Sequence, residues 1–243
     1  MPSRESNRPA ISVVIPCFNE ARRLNGTLET LVAFLASHPE TWEIVAVDDG
    51  STDETGRLAR ERFPDEPRVR VLRYERNHGK GWSVCEGFRA STGDLVLFTD
   101  ADLATPITEL PRFLAEAARG VDLVIASRYA RGARIAVPQP PRRRLSAATF
   151  RALVRLLRLS SASDTQCGFK LMRRTTMAPI LDRVATIGFA FDVELLHRTE
   201  RAGLRIAELP VEWHDVAGSK IRLWPDAARM AGDLVRLRWQ LRS

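Results

Sequence analysis

Acidic and amide residues fall in pairs where apolar runs end. Asp100 and Asp102 flank one alanine after LVLFT, Asp48 and Asp49 follow EIVAV, and Asn19 and Glu20 follow ISVVIPC by one residue. Clustered carboxylates repel one another unless a cation sits among them. An oxygen-rich set of few ligands that shares its ion with a phosphorylated molecule suits Mg2+ or Mn2+. Alternate residues of an extended segment point the same way, so Asp100 and Asp102 can both reach one ion or its water shell. These two are the candidate metal ligands. Taken alone, such a spacing also fits an acidic loop or a helix cap, the role expected of Asp53 and Asp94. Lys80 lies between Gly79 and Gly81, in a turn that either carries its ammonium to a phosphate or sugar or is merely exposed.

The elements that must position these residues alternate in type. ISVVIPC reads as a parallel strand buried on both faces, and residues 21–37 place Leu24, Leu28, Leu31 and Leu35 on one helical stripe. Strands follow at 43–47, in VRVLRYERN, in DLVLFTDAD and at 122–126, with helices from near Asp53 and in GKGWSVCEGFRAS. Short connections between alternating strands and helices predict a single α/β domain built on a doubly wound, mostly parallel sheet. Ligands of such a sheet sit outside the carboxyl ends of its strands, where the acids fall. RGARIAVPQPPRRR reads as a basic loop. A basic helix is expected from Leu145 to Leu159, a strand from Ile206 to Trp213 and a helical tail from Pro225. The expected division is a polar tail over 1–10, a domain over 11–222 with halves at 11–128 and 129–222, and a basic amphipathic helix over 223–243.

With 243 residues, 44% of them hydrophobic, the chain is long enough for one well-buried core. It carries no apolar run of about 18 residues and no apolar signal core, which predicts a cytoplasmic protein without a transmembrane span. Three widely spaced cysteines, Cys17, Cys85 and Cys167, fit reduced thiols rather than disulfides or zinc. The net charge of +7 points to an anionic partner. Nucleic acid is disfavoured, because the arginines gather in one loop and two helices instead of alternating with aromatics on a strand face.

The fragments PCFNE, VDDGSTD, GKG, TDAD and ASRY occur in this order at strand ends, and together they resemble the family 2 glycosyltransferases of the GT-A fold. DTQCGFK at 164–170, GFAFDVELL at 188–196 and VEWHDVAGSK at 211–220 resemble polyprenyl-phosphate sugar synthases, closer to dolichyl-phosphate glucosyltransferases than to mannose-phosphate synthases. The resemblance spans about residues 11–222 and departs at Ala104, where relatives often carry a polar residue, so water or donor phosphate would complete the metal's coordination. It implies an inverting, metal-dependent transfer of a sugar, glucose from UDP-glucose, to a polyprenyl or dolichyl phosphate at the cytosolic membrane face. GDP-mannose as donor, or a soluble acceptor, are the alternatives.

The resemblance assigns Pro16, Cys17, Asn19, Glu20, Asp48, Asp49, Gly50, Ser51, Lys80, Asp100, Ala101 and Asp102 to the nucleotide sugar. Either Asp48 or Asp49 would accept the ring N–H of uracil, with Gly50 letting the backbone approach; Glu20 is otherwise a first-turn helix acid. Asp102, Asp164 and Arg128 are the implied catalytic residues. Arg128, in the family's phosphate-binding S-R-Y, is joined as a candidate for the acceptor phosphate by Arg142, Arg143, Arg144 and Lys220, because a guanidinium matches phosphate with two parallel hydrogen bonds. One arginine of the triplet suffices, and the alternative reading for any of the three is a solvated run. Asp164 either orients the sugar, holds an arginine or caps a turn. Asp192 and Glu194 cannot share one helix face. His197 and His214 are expected in structural roles, as is Trp213. No base is required, since a phosphate monoester with a second pKa of about 6 is mostly a dianion at neutral pH. In the tail, Ala227, Met230, Ala231, Leu234, Leu237 and Leu241 form a stripe that either lies on an anionic membrane surface or packs on the domain.

Overall fold

The computed structural model of the chain describes residues 8–188, 190–216 and 223–241, with side chains of the last segment from residue 231 onward. The first half runs β1 (Ile11–Cys17), α1 (Leu24–Ala36), β2 (Trp42–Asp49), α2 (Thr55–Arg62), β3 (Val69–Tyr74), α3 (Lys80–Ala90), β4 (Leu95–Thr99), α4 (Leu110–Ala118) and β5 (Leu123–Ser127). The second half runs β6 (Arg134–Val137), α5 (Pro141–Leu156), β7 (Phe169–Arg173), α6 (Arg174–Leu181), α7 (Phe191–Arg201), β8 (Ile206–Pro210), β9 (Glu212–His214) and α8 (Leu223–Gln240).

Seven strands form one sheet in the order β3-β2-β1-β4-β7-β5-β8. The expected mostly parallel sheet is present, and β7 alone runs against its neighbours β4 and β5. Strand order reverses between β1 and β4, which makes the carboxyl ends of these two strands the crevice where such sheets bind ligands.

Alternation along β1 shows how the sheet is covered. Ile11, Val13, Ile15 and Cys17 enter the core cluster that also holds the α1 leucines and Phe113, whereas Val14 enters the one holding Phe88 and Phe191. The α1 stripe behaves as its spacing predicts: Leu24, Leu28, Leu31 and Leu35 are at most 1% exposed. Each such side chain contributes roughly 1.5–3 kcal/mol of burial free energy.

The chain departs from expectation at two places. RGARIAVPQPPRRR is not a loop: Arg134–Val137 is β6, paired in parallel with β9 as a separate two-stranded sheet, and Pro141 opens α5. Pro141 brings a preset φ to the first helical turn, and the amides of Arg143 and Arg144 both donate to Pro140 O, so the arginine triplet is helical. The strand expected over 206–213 is divided at Pro210, the last residue of β8, after which β9 leaves for the second sheet.

The tail helix α8 rests on the domain. Leu234 and Leu237 are buried with Val154, Leu159 and Val193, and Leu241 packs beside them. The apolar stripe is therefore used internally, while Val235 and Trp239 remain exposed; Ala227 and Met230 lie outside the described side chains. Among the described residues no helix is long and apolar enough to cross a membrane.

Candidate active site

The crevice is built from the loops after β1, β2 and β4. After β1, Asn19 adopts φ 54°, a left-handed conformation that asparagine tolerates. Its Oδ1 accepts from the amides of Thr52 and Asp53, at 2.8 and 3.3 Å, and its own amide donates to Ser51 Oγ at 2.9 Å. Asn19 thus stitches the first loop to the second. Pro16 and Cys17 pair with Val47 and Asp48 inside the sheet. The amide of Glu20 donates to Thr55 Oγ1, and its carboxylate pairs with Arg23 Nε at 2.6 Å.

After β2, both acids are buried. The Asp49 carboxylate accepts from the amides of His78 and Gly79, at 2.9 and 2.7 Å, which fixes the turn leading into Lys80. Asp48 Oδ1 accepts from the Ser51 amide at 3.1 Å, while Oδ2 lies buried over Gly56 without a hydrogen-bond partner, 3.7 Å from Arg73 Nε. Of the two residues offered for the base, only Asp48 keeps a carboxylate oxygen with no hydrogen-bond partner. Gly50 takes φ +72°, and a Cβ there would stand 2.4 Å from the Arg76 carbonyl carbon, so only glycine fits this turn.

After β4 come the two candidate metal ligands. Asp100 Oδ1 is 2.9 Å from Lys80 Nζ, and the Lys80 ammonium lies 5.0 Å from the centroid of the Phe98 ring. The Asp100 carboxylate rests on the bare backbone of Gly168, where a Cβ would stand 1.9 Å from Oδ2, and the Asp100 amide donates to Gly168 O at 3.0 Å. Asp102 Oδ1 accepts from the Ala104 amide at 3.1 Å, and Oδ2 lies 4.0 Å from Arg23 Nη1. The intervening Ala101 is buried, its carbonyl accepting from Thr27 Oγ1 at 2.6 Å. Burial, then the neighbouring Asp100 charge, holds the Asp102 carboxyl above its ordinary pKa, against the pull of the Ala104 amide, Arg23 and Lys80. A carboxylate pair under this strain of like charge is what a divalent cation relieves. Among the described residues no three His, Cys, Asp or Glu side chains converge on a common point. Asp100 and Asp102 are a short set of oxygen donors, a kind that suits Mg2+ or Mn2+, which keep part of their shell as water or phosphate oxygen.

The segment 164–168 carries the second group of charges. Asp164 is 1% exposed and holds Arg128 as a fork: Arg128 Nε donates to Oδ2 at 2.7 Å and Nη2 to Oδ1 at 2.9 Å, with the Arg128 amide adding a third bond at 3.0 Å. Burial would raise the Asp164 pKa, but the Arg128 charge and hydrogen bonds outweigh it and hold the carboxyl below its ordinary range. The oxygens of Asp164 are thus taken up by Arg128 and by the Gln166 amide, which donates to Oδ1 at 3.1 Å. Of the three roles offered by the sequence, two are visible: Asp164 holds an arginine and, through the amide two residues on, caps a turn. Thr165 Oγ1 and Gln166 Nε2, next along the segment, are buried without hydrogen-bond partners.

Three of the remaining expected residues separate. Arg143 on the first turn of α5 points its Nη1 to Asp215 Oδ1 at 3.7 Å, whereas Arg142 and Arg144 are exposed. Lys220 lies outside the described residues. Asp192 and Glu194 diverge as their spacing requires: Asp192 pairs with Lys170 at 2.5 Å, and Glu194 accepts from the Ala185 and Thr186 amides and from Arg198. His197 is 2.8 Å from Leu159 O and His214 is 2.9 Å from Glu212, so both serve structure.

Arg23, Lys170 and Arg151 were missed by sequence reasoning, and Asp192 was named without its partner. Arg23 lies between Glu20 and Asp102, and its signal was an i,i+3 spacing from Glu20 at a helix start. Lys170 and Asp192 form a fully buried pair, Lys170 also donating to Cys167 O at 2.7 Å, and a lysine inside the apolar strand FKLM was the visible sign that a buried acid must exist. Arg151 on α5 stacks 3.6 Å from the Tyr129 ring centroid, beside Arg128, with Nη1 buried and without a hydrogen-bond partner. Nothing in the local sequence marks it.

Residues 12–181 match the family model described as glycosyl transferase family 2. A dolichyl-phosphate beta-glucosyltransferase of Saccharomyces cerevisiae is 35% identical over 246 residues, covering 94% of this chain and 74% of that protein. One from Drosophila melanogaster is 34% identical over 237 residues, covering 92% and 73%. Among solved structures, glucosyl-3-phosphoglycerate synthase from Mycobacterium tuberculosis with uridine diphosphate has a TM-score of 0.70 at 23% identity, covering 96% of this chain and 79% of that one. The same synthase with Mn2+, uridine diphosphate and glucosyl-3-phosphoglycerate has a TM-score of 0.69 at 22% identity, covering 94% and 78%.

Proposed function

The chain belongs to glycosyl transferase family 2, and we propose that it transfers glucose from UDP-glucose to a polyprenyl phosphate with inversion at the anomeric carbon. The observation that carries this reading is the segment 164–168, which touches both charged groups of the site. Gly168 cradles Asp100 at one end and Asp164 holds Arg128 at the other. An acidic pair for a nucleotide sugar's metal and a preset guanidinium for a second phosphate are thereby tied to one piece of backbone. That the relatives are dolichyl-phosphate beta-glucosyltransferases supports glucose as the sugar and a polyprenyl phosphate as the acceptor.

Asp100 and Asp102 would hold the metal. The chemistry that bound Mg2+ or Mn2+ supplies there is neutralisation of charge on the departing nucleoside diphosphate. Lys80 adds a second positive charge on the same side, and Asp48 Oδ2, which has no hydrogen-bond partner where it packs against Gly56 of α2, is the acceptor offered to a base N–H. The acceptor needs no deprotonation, being mostly a dianion at neutral pH with a second pKa of about 6. Arg128 orients it: Asp164 occupies Nε and Nη2 and leaves Nη1 outside the pair, and Arg151 Nη1 supplies a further donor nearby. One phosphate oxygen attacks the anomeric carbon from the face opposite the leaving UDP, so an α-linked donor gives a β-linked product.

The same reading brings the protein to a membrane surface. Leu145 and Leu156 on α5 are 70% and 78% exposed, Trp239 on α8 is 68% exposed, and the exposed Arg142, Arg144, Arg155 and Arg236 lie on the same two packed helices. Apolar side chains among arginines suit the boundary of an anionic bilayer. The test incubates the purified protein and Mg2+ with radiolabelled UDP-glucose or GDP-mannose and a short polyprenyl phosphate in detergent, then counts label in the organic phase. Label from UDP-glucose that Asp102→Ala abolishes is the expected result. Label from GDP-mannose alone would overturn the donor, and label from neither, despite nucleotide binding, would overturn the pairing of glucose with a polyprenyl phosphate and point to another sugar or a soluble acceptor.

A further inference from the structure

The two acids of the crevice already have cations beside them. Lys80 Nζ is 2.9 Å from Asp100 Oδ1, and Arg23 Nη1 is 4.0 Å from Asp102 Oδ2. A divalent cation drawn to these carboxylates competes with the Lys80 ammonium for Asp100. The backbone of Lys80 is fixed, because Asp49 accepts from the two amides immediately before it and Gly81, immediately after it, is packed against Phe191. The side chain is the part that can move: Lys80 is the first residue of α3, its stem is flexible and its head lies over Phe98.

We propose that Lys80 is a resident counter-ion of the acidic pair, and that its release from Asp100 couples binding of the divalent cation to binding of the nucleotide diphosphate. With neither ligand present, Lys80 neutralises Asp100. A metal that binds alone must break that pair, and a diphosphate that draws Lys80 alone must break it too. When both bind, the pair is broken once for both, and the ammonium passes from the carboxylate to the phosphates. Positive coupling follows, and by thermodynamic reciprocity each ligand raises the affinity of the other by the same factor. Arg23, held on Glu20 at 2.6 Å, acts in the same sense on Asp102 from farther away. This rests on the reading of Asp100 and Asp102 as metal ligands.

The experiment measures Mn2+ binding by the electron paramagnetic resonance signal of the free ion, with and without UDP, in the full chain. Lys80→Met, Lys80→Arg and Arg23→Gln are compared with wild type. The proposal expects Lys80→Met to bind Mn2+ alone on the order of tenfold more tightly, and the factor by which UDP tightens Mn2+ to fall on the order of tenfold. Lys80→Arg restores the wild-type order, because the displaced charge is restored, and Arg23→Gln tightens Mn2+ less than Lys80→Met does. A Lys80 that is only a phosphate ligand would weaken UDP while leaving the affinity for Mn2+ alone unchanged, and that outcome overturns the proposal. So does an unchanged coupling factor. Wild-type Mn2+ binding that survives Asp102→Asn would overturn the metal reading beneath it, and is told apart from the other failures by that variant. Circular dichroism melts confirm folding, and Lys80→Gln replaces Lys80→Met if the latter unfolds.

Discussion

Replacing Asp164 by asparagine keeps the shape of the side chain and removes the charge that matches Arg128. In the folded protein the carboxylate is 1% exposed and the arginine side chain 13% exposed. Its two oxygens accept four hydrogen bonds, from Arg128 N, Nε and Nη2 and from the Gln166 amide. Asparagine keeps one of these oxygens and turns an NH2 toward donors that bonded the other, while the guanidinium stays charged and buried. Breaking a buried pair from one side costs about 3–5 kcal/mol, against a total stability of roughly 5–15 kcal/mol. At about 2–4 °C per kcal/mol for a chain of this size, Asp164→Asn should melt roughly 6–20 °C below wild type. The sign of the pH dependence follows from the depressed pKa of Asp164. The carboxylate's contribution is complete above the unfolded aspartate value of about 3.9 and disappears as pH falls through the lower folded value. Urea unfolding of both proteins, followed by circular dichroism between pH 7 and pH 3, should therefore give a constant difference down to about pH 4 that shrinks only below it. A difference under about 1 kcal/mol at pH 7 would refute the claim that Asp164 holds a buried arginine. One that decays between pH 7 and 5 would assign the effect to another group.

Gly168→Ala places a Cβ 1.9 Å from Asp100 Oδ2; because a side-chain end can shift, thermal melting should stay within about 1 kcal/mol of wild type while sugar transfer and Mn2+ binding fall about tenfold. Lys170→Met strands Asp192 in the core and should lose about 3–5 kcal/mol in urea unfolding, whereas the double variant Lys170→Met/Asp192→Leu recovers most of it. Loss in the double variant equal to the sum of both singles would mean that the two side chains act independently. Burial pushes the thiols of Cys85 and Cys167 up to about 11, and Cys17 is buried as well. A chromogenic disulfide reagent at pH 8 should therefore leave all three unmodified in the native protein and titrate three thiols in urea.

Much of the fold and half of the site were legible in the chain because they depend on local periodicity. The α1 leucines recur at the helical interval, the β-branched runs of β1 and β2 end where the acids begin, and a doubly wound sheet brings successive strand ends to one side whatever their loops do. Asp100 and Asp102 could be named as candidates from that rule, and Lys80 from the glycines on either side of it. The tertiary structure decided what those residues touch. Asp48 and Asp49 are adjacent and alike in sequence, yet one carboxylate is taken by the turn before Lys80 and the other keeps an oxygen under Gly56, a difference set by which loop lies above each. RGARIAVPQPPRRR reads as a loop because a strand of four residues has no signature apart from its partner, and β9 arrives from 75 or more positions along the chain. Lys170 and Asp192, 22 residues apart in sequence, form one buried pair because β7 enters the sheet antiparallel between β4 and β5 and α7 packs against it. Composition and spacing specify which groups a strand end will offer; the partner that neutralises each group comes from a distant segment, and that is settled only when the sheet closes around it.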